Sequence, residues 1–373
     1  MLSLPALSRA EGSKRGVAFV LLLAALAVAC SNGTSAQRVS TPAPATSPTA
    51  AAPSPASDGT ITIAAVGDIM LARDLTTLMD EHGAIYPFER VLPLLRNADV
   101  TIANFEGTFT ERGAPAEKLY TFRTPPRFAP GLAEAGIDIV SLGNNHTADF
   151  GPEGVEDTLA ALDGAGVRHA GAGMNDAQAR TAAHMEVSGL RIAFLSYTDI
   201  MENTFAGPDT PGVALATTDV IDAGVRAAKA QADIVIVALH SGVEYTDAPQ
   251  PDQQQLAQAA IDAGATLVLG HHPHALQGVQ HYPSTGSGQA DGLIIYSLGN
   301  FVFDLDEDDL TQLGPRAFQT AVYYITLRGT EVVDVRPEPV SIDPLEDRPR
   351  PATADEAAAI LERIDQLNQL AGP

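Results

Sequence analysis

Short polar clusters follow apolar, strand-like runs at six places in the sequence, and their side chains are of the types that bind metal ions. The clusters are Asp68, residues 104–106, 143–146, His240, residues 270–274 and residues 297–300. In layered α/β folds, the loops beyond the carboxyl ends of the strands converge on one crevice, where ligands bind. Carboxylate, amide and imidazole groups gathered in such a crevice indicate a metal site.

The segment Gly270-His271-His272-Pro273-His274 places three imidazoles within four residues, on a turn after an apolar run. Core packing rarely groups histidines in this way. In an extended segment His272 and His274 point the same way, as ligands of one metal or of two adjacent metals must. We therefore predict both as ligands, and we expect His271 to support them or to pack. The alternative is a polar or partner-binding loop.

Two further clusters add an imidazole each. His240 ends an apolar run and is predicted as a ligand, with a structural role as the alternative. Glu244 is expected to orient His240 or to bind substrate. Asn145 is predicted as a ligand and His146 as a proton donor. The alternative is a turn in which the asparagines tolerate left-handed backbone angles.

Carboxylates supply the negative charge that a divalent cation needs. Asp68 and Glu106 each follow a strand-like run and are predicted as ligands, with helix capping or a surface salt bridge as the alternative. Arg73 is expected to meet an anionic group of the substrate, and the alternative is a solvated ion pair. Asn104 and Asn300, together with Glu244, are predicted to contact substrate.

Strand-like and helix-like stretches alternate between about residues 59 and 342, which is typical of an α/β fold. Helices are predicted at residues 74–82, 88–96, 130–135, 152–165, 218–231 and 252–263. The tail differs, because residues 318–327 and 331–340 have the alternation of a β-hairpin. Residues 354–370 have the apolar spacing of an amphipathic helix. The acidic residues 306–309 are expected to form a solvated loop.

Composition excludes one class of partner. The chain has 373 residues, of which 45% are hydrophobic and none is tryptophan, and its formal net charge is −24. This length and apolar content suffice for one large domain or two ordinary ones. A surface this acidic repels nucleic acid, and no basic run offsets it. We therefore expect no nucleic-acid partner.

The N-terminal residues have the pattern of an exported lipoprotein. Basic residues precede an apolar run that is too short to span a membrane comfortably and that ends at Cys30, the one cysteine in the sequence. We predict a lipoprotein signal at residues 1–29, then a lipidated cysteine and a disordered tether over residues 30–58. A domain at 59–345 and a helical tail at 346–373 follow. The expected location is extracytoplasmic and membrane-anchored; an ordinary signal peptide with an incidental cysteine is the alternative.

Six sequence motifs together resemble the CapA family of capsule and poly-γ-glutamate biosynthesis proteins. The motifs are Gly67-Asp-Ile-Met-Leu-Ala-Arg73, Asn104-Phe-Glu-Gly107, Leu142-Gly-Asn-Asn-His-Thr-Ala-Asp-Phe-Gly151, His240-Ser-Gly-Val-Glu-Tyr245, Gly270-His-His-Pro-His-Ala-Leu-Gln277 and Tyr296-Ser-Leu-Gly-Asn-Phe301. The resemblance is in order and covers about residues 61–303.

The resemblance implies a fold and a site. The fold is a four-layer αββα sandwich like that of calcineurin-like metallophosphoesterases, here with a C-terminal β-hairpin and helix. The implied metal positions are Asp68, Glu106, Asn145, His240, His272 and His274, with His146 beside the leaving group. Met70 departs from the pattern because metallophosphoesterases usually carry histidine there, and Glu106 stands where they carry a bridging aspartate. We expect one or two divalent ions, of Mn, Fe or Zn, with one position weak or empty.

Two functions fit these observations. The first is a role in synthesis, export or anchoring of a capsule or poly-γ-glutamate polymer. An anionic polymer or small molecule would then be the ligand, and membrane-bound synthase components would be partners. The alternative is an extracytoplasmic metal-dependent hydrolase of phosphoesters or γ-glutamyl amides that is unrelated to capsule assembly. Whether the chain turns over a substrate is left open at this point.

Overall fold

The computed structural model describes residues 59–201, 204–283 and 291–372. The signal at residues 1–29, the lipidation of Cys30 and the tether up to residue 58 fall outside these residues, so they stay predictions. Within the described ranges, no helix combines the length and the apolar character needed to cross a membrane.

The helices lie mostly where the sequence pattern predicts them. They are α1 Asp74–His82, α2 Leu92–Leu95, α3 Pro130–Ala135, α4 Gly151–Ala165, α5 Asp176–Ala179, α6 Thr218–Lys229, α7 Pro251–Ala263, α8 Glu307–Leu313 and α9 Ala354–Ala371. Short 3₁₀ turns cover Tyr86–Phe88, Pro126–Phe128 and Gly314–Phe318. The Thr217 side chain accepts a hydrogen bond from the Val220 amide and thereby caps α6.

Strands of the first main sheet come from both ends of the described chain. In chain order they are β1 Thr60–Ile69, β2 Val100–Phe105, β5 Ile139–Ser141, β6 Arg168–Ala170, β15 Asn300–Val302, β16 Gln319–Arg328, β17 Glu331–Asp343 and β18 Arg348–Pro351. The order across this sheet is β18-β17-β16-β1-β2-β5-β6, and β15 pairs with the end of β1. The neighbours β1, β2, β5 and β6 run parallel to one another.

The second main sheet has a parallel centre and antiparallel edges. Its strands are β8 Ala183–Val187, β9 Leu190–Thr198, β11 Ile234–His240, β12 Leu267–His271, β13 Val279–Tyr282 and β14 Gly292–Ile295, in the order β13-β14-β12-β11-β9-β8. Two small ribbons complete the strands: β3 Thr108–Phe109 with β4 Arg123–Thr124, and β7 Ala172–Gly173 with β10 Gly212–Val213.

Side-chain alternation along the strands produces the layers. In β1, Ile61 and Ile63 enter the core between the two sheets, whereas Ala64 and Val66 face the core under the helices α1, α3 and α4. This follows from the period of two in a strand. In the same way β11 presents alternate residues to the inter-sheet core and to a third core beneath α6 and α7. The fold is therefore the expected four-layer αββα sandwich.

The C-terminal elements belong to the same packing. The expected hairpin is present as β16 and β17, joined at Gly329, whose positive φ of 61° suits a residue without a side chain. Helix α9 confirms the predicted amphipathic helix. Its residues Ile360, Ile364 and Leu367 are buried in the inter-sheet core. A capping box between Thr353 and Glu356 starts the helix.

Two predictions of local structure were wrong. Residues 88–96 do not form one helix, since the 3₁₀ turn ends at Phe88 and the short α2 covers only Leu92–Leu95. Pro93 has no amide hydrogen and cannot continue a helix that began earlier. The acidic residues 306–309 do not form a solvated loop. Asp306 caps α8 by accepting hydrogen bonds from the amides of Asp308 and Asp309, and its charge favours a helix N-terminus.

Candidate metal centre

The polar clusters meet because the strands that carry them are in register. In the first sheet, Asp68 lies opposite Asn104 on one side and Asn300 on the other. In the second sheet, His240 lies opposite His271. The two sheets face one another, and Nδ1 of His271 is 2.9 Å from Oδ1 of Asp68. Strand register and sheet packing thus bring the six sequence clusters to one crevice.

Two glycines permit this close approach. A Cβ atom on Gly67 would lie 1.9 Å from the carbonyl oxygen of Gly299, and one on Gly270 would lie 1.9 Å from the carbonyl oxygen of Tyr296. Real Cβ atoms do not approach backbone so closely. A side chain at position 67 would therefore displace the end of β1 from the Gly299 backbone, and one at position 270 would displace the end of β12 from the Tyr296 backbone.

Asp68 is fully buried and fully engaged. Its Oδ1 accepts a hydrogen bond of 2.9 Å from Nδ2 of Asn104 and faces His271, while its Oδ2 lies 3.7 Å from Nδ1 of His274. Burial by itself raises the pKa of Asp68, but the hydrogen bond from His271 and the neighbouring imidazole charges outweigh burial and lower it. Asp68 is therefore held as a carboxylate facing the crevice.

Glu106 has a different environment. Its side chain is fully buried, and neither carboxylate oxygen has a hydrogen-bond partner among the described residues. Its Oε1 lies 3.7 Å from Nε2 of His240, 3.8 Å from Nε2 of His146 and 4.0 Å from Nε2 of His274. Burial raises the pKa of Glu106 well above its usual value. Three imidazoles thus surround a carboxylate without touching it.

Asn145 and His240 occupy the wall nearest the second sheet. Oδ1 of Asn145 is 2.8 Å from Nε2 of His240, and Nδ1 of His240 faces Nδ2 of Asn104 at 3.4 Å. Adjacent ligand atoms of one cation lie about 3 Å apart when the bonds are ~2.1 Å long. The spacing of these two atoms therefore fits a shared cation. Burial lowers the pKa of His240 well below its usual value, which keeps the imidazole neutral and able to ligate.

Contacts with Asp149 and Phe122 fix the orientation of the His146 ring. Its Nδ1 is 2.8 Å from Oδ2 of Asp149, and its ring stacks on Phe122 with a centroid distance of 4.1 Å. A carboxylate only accepts hydrogen bonds, so Nδ1 donates and Nε2 is directed towards Glu106. Burial lowers the pKa of His146 to about 4.

Lys118 is a site residue that the sequence analysis missed. Its Nζ contacts Oδ1 of Asp149 at 2.5 Å and the carbonyl oxygen of Asn145, and it lies 3.3 Å from Nδ1 of His146. Its side chain is only 11% exposed. It comes from an otherwise exposed stretch between β3 and β4, with no motif and no regular spacing to mark it. The sequence carried no signal for this contact.

The histidine turn contains strained backbone. His272 and His274 have φ values of 96° and 55°, in the left-handed region that residues with side chains seldom adopt. Such strain is typical of functional sites and persists because the surrounding structure enforces it. Nδ1 of His274 lies 2.8 Å from Oδ1 of Asn300, so only Nε2 of His274 is directed away from the protein frame. His271 itself contacts Asp68 through Nδ1 at 2.9 Å.

The two predicted ligands of this turn, His272 and His274, have pKa values shifted in opposite directions. Burial would lower the pKa of His274, but the carboxylates of Glu106 and Asp68 outweigh burial and raise it to about 9. For His272 burial dominates and lowers the pKa to about 3. Its Nδ1 has no hydrogen-bond partner in the described part of the chain. His272 therefore has a neutral imidazole whose Nδ1 is free to bind a cation.

Among the residues that the structure describes, two groups of ligand atoms are close enough to hold an ion. Asp68, Glu106 and His274 form one triad, and Glu244, His272 and His274 form the other; within each triad the ligand atoms all lie within 4.8 Å of one another. Glu244 is the exposed member, and it reaches the crevice from the loop after β11. The residues present therefore suit a divalent cation in charge and in donor type.

Arg73 and Met70 lie on the remaining side. The guanidinium of Arg73 pairs with Asp306 at 3.4 Å and stands 5.0 Å above the Phe122 ring, so it borders the imidazole of His146 through that ring. Met70 is fully buried in a small apolar cluster with Phe122 and Phe303. Its sulfur accepts a hydrogen bond from the Ala72 amide. The position of the absent histidine is thus filled by apolar packing.

Comparisons with known proteins identify the family of this chain. The family model described as bacterial capsule synthesis protein PGA_cap matches residues 62–305. A capsule biosynthesis protein CapA of Bacillus anthracis is 33% identical over 79% of this chain and 70% of its own length. A PGA biosynthesis protein CapA of Bacillus subtilis is 34% identical over 80% of this chain and 76% of its own length.

Solved structures also resemble this chain. A hypothetical protein of Thermus thermophilus has a TM-score of 0.47 and 18% identity, over 75% of this chain and 99% of its own. A 5'-nucleotidase precursor of the same organism has a TM-score of 0.45 and 14% identity, over 83% of this chain and 58% of its own. The layered architecture described above rests on the sheets and cores of this chain itself.

The turn that carries Asn145 and His146 depends on one buried amide. Oδ1 of Asn144 accepts hydrogen bonds from the amides of His146 and Thr147, and its Nδ2 donates to Asn104 and to the Phe105 carbonyl. We expect Asn144→Ala to lower the free energy of unfolding by about 2–4 kcal/mol, because several buried polar groups lose their partners.

Urea unfolding measures this loss, and Asn175→Ala is the control. Asn175 caps α5 through the Gln178 amide at the surface, and its removal should cost about 1 kcal/mol. A loss at Asn144 no greater than that at Asn175 would contradict the role assigned to Asn144.

Proposed function

The chain belongs to the family of bacterial capsule synthesis proteins, and on that premise we propose that it serves the synthesis, export or anchoring of a glutamyl capsule polymer. The printed names of its relatives support the polymer: one is a capsule biosynthesis protein and another a PGA biosynthesis protein. In this proposal the crevice binds a divalent cation together with an anionic polymer or a small molecule, and membrane-bound synthase components are the partners.

The environment of Glu106 carries the metal proposal. A carboxylate that is fully buried without a hydrogen-bond donor is unfavourable by several kcal/mol if it stays charged and unpaired. The three imidazole Nε2 atoms within 4.0 Å of Oε1 are metal ligands by type. A cation among these groups would neutralise Glu106 and would use the neutral imidazoles of His240 and His272.

We assign the cation to the carboxylates, the amide and the imidazoles that the crevice brings together. These are Asp68, Glu106, Asn145, His240, His272 and His274. A mixed oxygen and nitrogen set suits Mn²⁺, Fe or Zn²⁺. When bound, such an ion polarises a phosphoryl or carbonyl oxygen and lowers the pKa of water.

The chain's own residues orient the substrate and move a proton. Asp149 accepts a hydrogen bond from Nδ1 of His146, which leaves Nε2 facing the crevice to exchange a proton with a leaving group. Lys118 fixes Asp149, and Phe122 fixes the plane of the imidazole. We propose that Arg73, whose guanidinium lies over the Phe122 ring and pairs with Asp306, meets an anionic group of the substrate. Asn104 and Asn300 hold the ligand side chains rather than lie open to solvent.

A second candidate is an extracytoplasmic hydrolase of phosphoesters or γ-glutamyl amides outside capsule assembly. The orientation of His146 favours it, because a crevice that only binds polymer has no need of an imidazole held by Asp149, Lys118 and Phe122 with Nε2 facing the cation ligands. The two candidates share the same metal-binding crevice and the same imidazole, and cleavage of the polymer itself separates them.

We expect Glu106→Gln to have opposite effects without and with metal. In metal-free protein the substitution should raise the free energy of unfolding by about 1–4 kcal/mol, because a buried, unpaired carboxylate is removed. This advantage should grow as pH rises above about 4.3, since the unfolded chain then releases a proton that the folded chain must keep. With Mn²⁺ or Zn²⁺ added, the stabilisation seen in the unsubstituted protein should disappear.

Thermal unfolding with and without the cation, at several pH values, measures both effects. Glu153→Gln in α4 is the matched control, because Glu153 is exposed and should alter neither quantity. A Glu106→Gln protein that is stabilised by metal as strongly as the unsubstituted protein would refute the assignment.

We expect His146→Ala to lower any metal-dependent turnover by roughly 10²–10⁴-fold, the usual contribution of a positioned acid or base. Metal content should stay within twofold. Poly-γ-glutamate, γ-glutamyl peptides and phosphoesters form the substrate panel, and His169→Ala, paired with Asp163 elsewhere, is the control. Cleavage of poly-γ-glutamate alone favours the polymer pathway, and cleavage of phosphoesters or of γ-glutamyl peptides without the polymer favours the second candidate. Activity that survives in His146→Ala would remove this residue from the mechanism.

We also propose that the folded domain is held outside the cytoplasm by a lipid on Cys30. The proposal rests on the sequence of residues 1–58, where an apolar run ends at the cysteine and a Ser-, Thr-, Ala- and Pro-rich segment follows. Such a tether would keep the crevice near membrane-bound synthase components.

Substitution of Cys30 by serine tests this location. The substituted protein should leave the membrane fraction or keep its uncleaved signal, and it should no longer incorporate labelled fatty acid. Ser31→Ala is the control, and it should change neither the membrane location nor the lipid labelling. Equal lipid labelling of the Cys30→Ser protein would disprove the anchor.

A further inference from the structure

We propose that Glu244 is a ligand of the same cation that His274 holds, and that with His272 it closes the solvent-facing side of the centre. The inference rests on the proposed function, because it assumes that a cation binds in the crevice. It adds an exposed side chain to the metal ligands, whereas Met70, just after β1, offers no oxygen or nitrogen ligand.

The shared imidazole links the two triads. Nδ1 of His274 is 2.8 Å from Oδ1 of Asn300, so one nitrogen, Nε2, remains for a cation. One nitrogen binds one cation at a time. The inner triad with Asp68 and Glu106 and the outer triad with Glu244 and His272 share His274, and we assign its Nε2 as the atom common to both. Ligand atoms of one cation lie up to roughly 4 Å apart, close to the 4.8 Å that bounds each triad.

The packing around Met70 explains why the remaining ligand must come from the Glu244 side. Met70, Phe122 and Phe303 form an apolar cluster, and the Phe303 ring meets the His274 ring edge-on at a centroid distance of 5.1 Å. No oxygen or nitrogen donor of these side chains faces His274 there. Glu244 and His272 line a separate cavity of about 450 Å³, whose lining includes none of the three apolar residues of this cluster.

The backbone fixes Glu244 opposite the histidine turn. The Ser241 amide donates to the His271 carbonyl at 3.0 Å, and the Tyr245 amide donates to the Pro273 carbonyl at 2.8 Å. Glu244 lies between these two attachments. Tyr245 adopts a positive φ of 64°, a conformation that residues with a Cβ rarely take. The strain is thus stored where the loop turns Glu244 towards the crevice.

His272 supplies a second, independent indication of a ligand. The residue is 6% exposed, and its Nδ1 has no hydrogen-bond partner within the described ranges. Its ring lies 4.9 Å from that of His240 and 6.0 Å from that of His274. A buried imidazole nitrogen without a partner is unfavourable unless something binds it. Glu244 offers a carboxylate oxygen within 4.8 Å of a ring nitrogen of His272, which makes a cation the fitting ligand.

Metal titration of the full chain tests the proposal. The purified protein, the Glu244→Gln variant and the Glu117→Gln variant are stripped of metal and titrated with Mn²⁺ and with Co²⁺. Glu117 is the matched control because it is also an exposed glutamate on a loop beside the site, next to Lys118. We expect Glu244→Gln to weaken binding by roughly 10–100-fold, as loss of a ligand or its support does. Glu117→Gln should stay within twofold of the unsubstituted protein.

The visible absorption of bound Co²⁺ separates ligation from a general loss of charge. It reports the number and type of ligands, so Glu244→Gln should change the spectrum and Glu117→Gln should not. Glu244→Gln with unchanged affinity and unchanged spectrum would overturn the inference while leaving the proposed function intact. If the unsubstituted protein binds neither ion, the proposed metal function itself fails. Metal-free thermal unfolding should be alike for all three proteins, because Glu244 is exposed.

Discussion

The meeting of two strand ends from different sheets is the interaction on which the rest of the site depends. Asp68 closes β1 and His271 closes β12, and their side chains are 2.9 Å apart. This contact exists only because the inter-sheet core packs β1 against β12 and because Gly67 and Gly270 let neighbouring backbone approach. The core therefore sets the geometry of the chemistry, and a polar contact at the edge of the core fixes where the crevice lies.

The two buried carboxylates of the crevice differ in their hydrogen-bond partners, and their pKa values shift in opposite directions. Asp68 receives hydrogen bonds from Asn104 and His271, which offset burial and keep it charged. Glu106 receives none from the residues that the structure describes, and burial raises its pKa. Stability alone would favour a donor or an apolar residue beside Glu106. A site kept unfavourable without its ligand gains most when a cation binds, which is a reason for a protein to keep it.

The sequence was informative wherever a strand delivers a side chain. The ligand candidates at Asp68, Asn145, His240 and His272 were found because each follows an apolar run, and parallel strands end at one edge of a sheet. Lys118 escaped notice, since it reaches His146 from an irregular loop whose path depends on tertiary packing. The helix expected at residues 88–96 failed at Pro93, where a covalent constraint overrides apolar spacing.

Residues beyond the matched family region complete the support of the Glu244 loop. Asp247, three positions after Glu244, accepts from Arg316 at 2.6 Å and from Arg363 of α9 at 2.8 Å. Tyr245 donates to Asp309 at 3.2 Å. The family match ends at residue 305. Helix α9 therefore has two roles. Its apolar residues pack in the inter-sheet core, and its Arg363 forms an ion pair with Asp247 that supports the loop carrying Glu244.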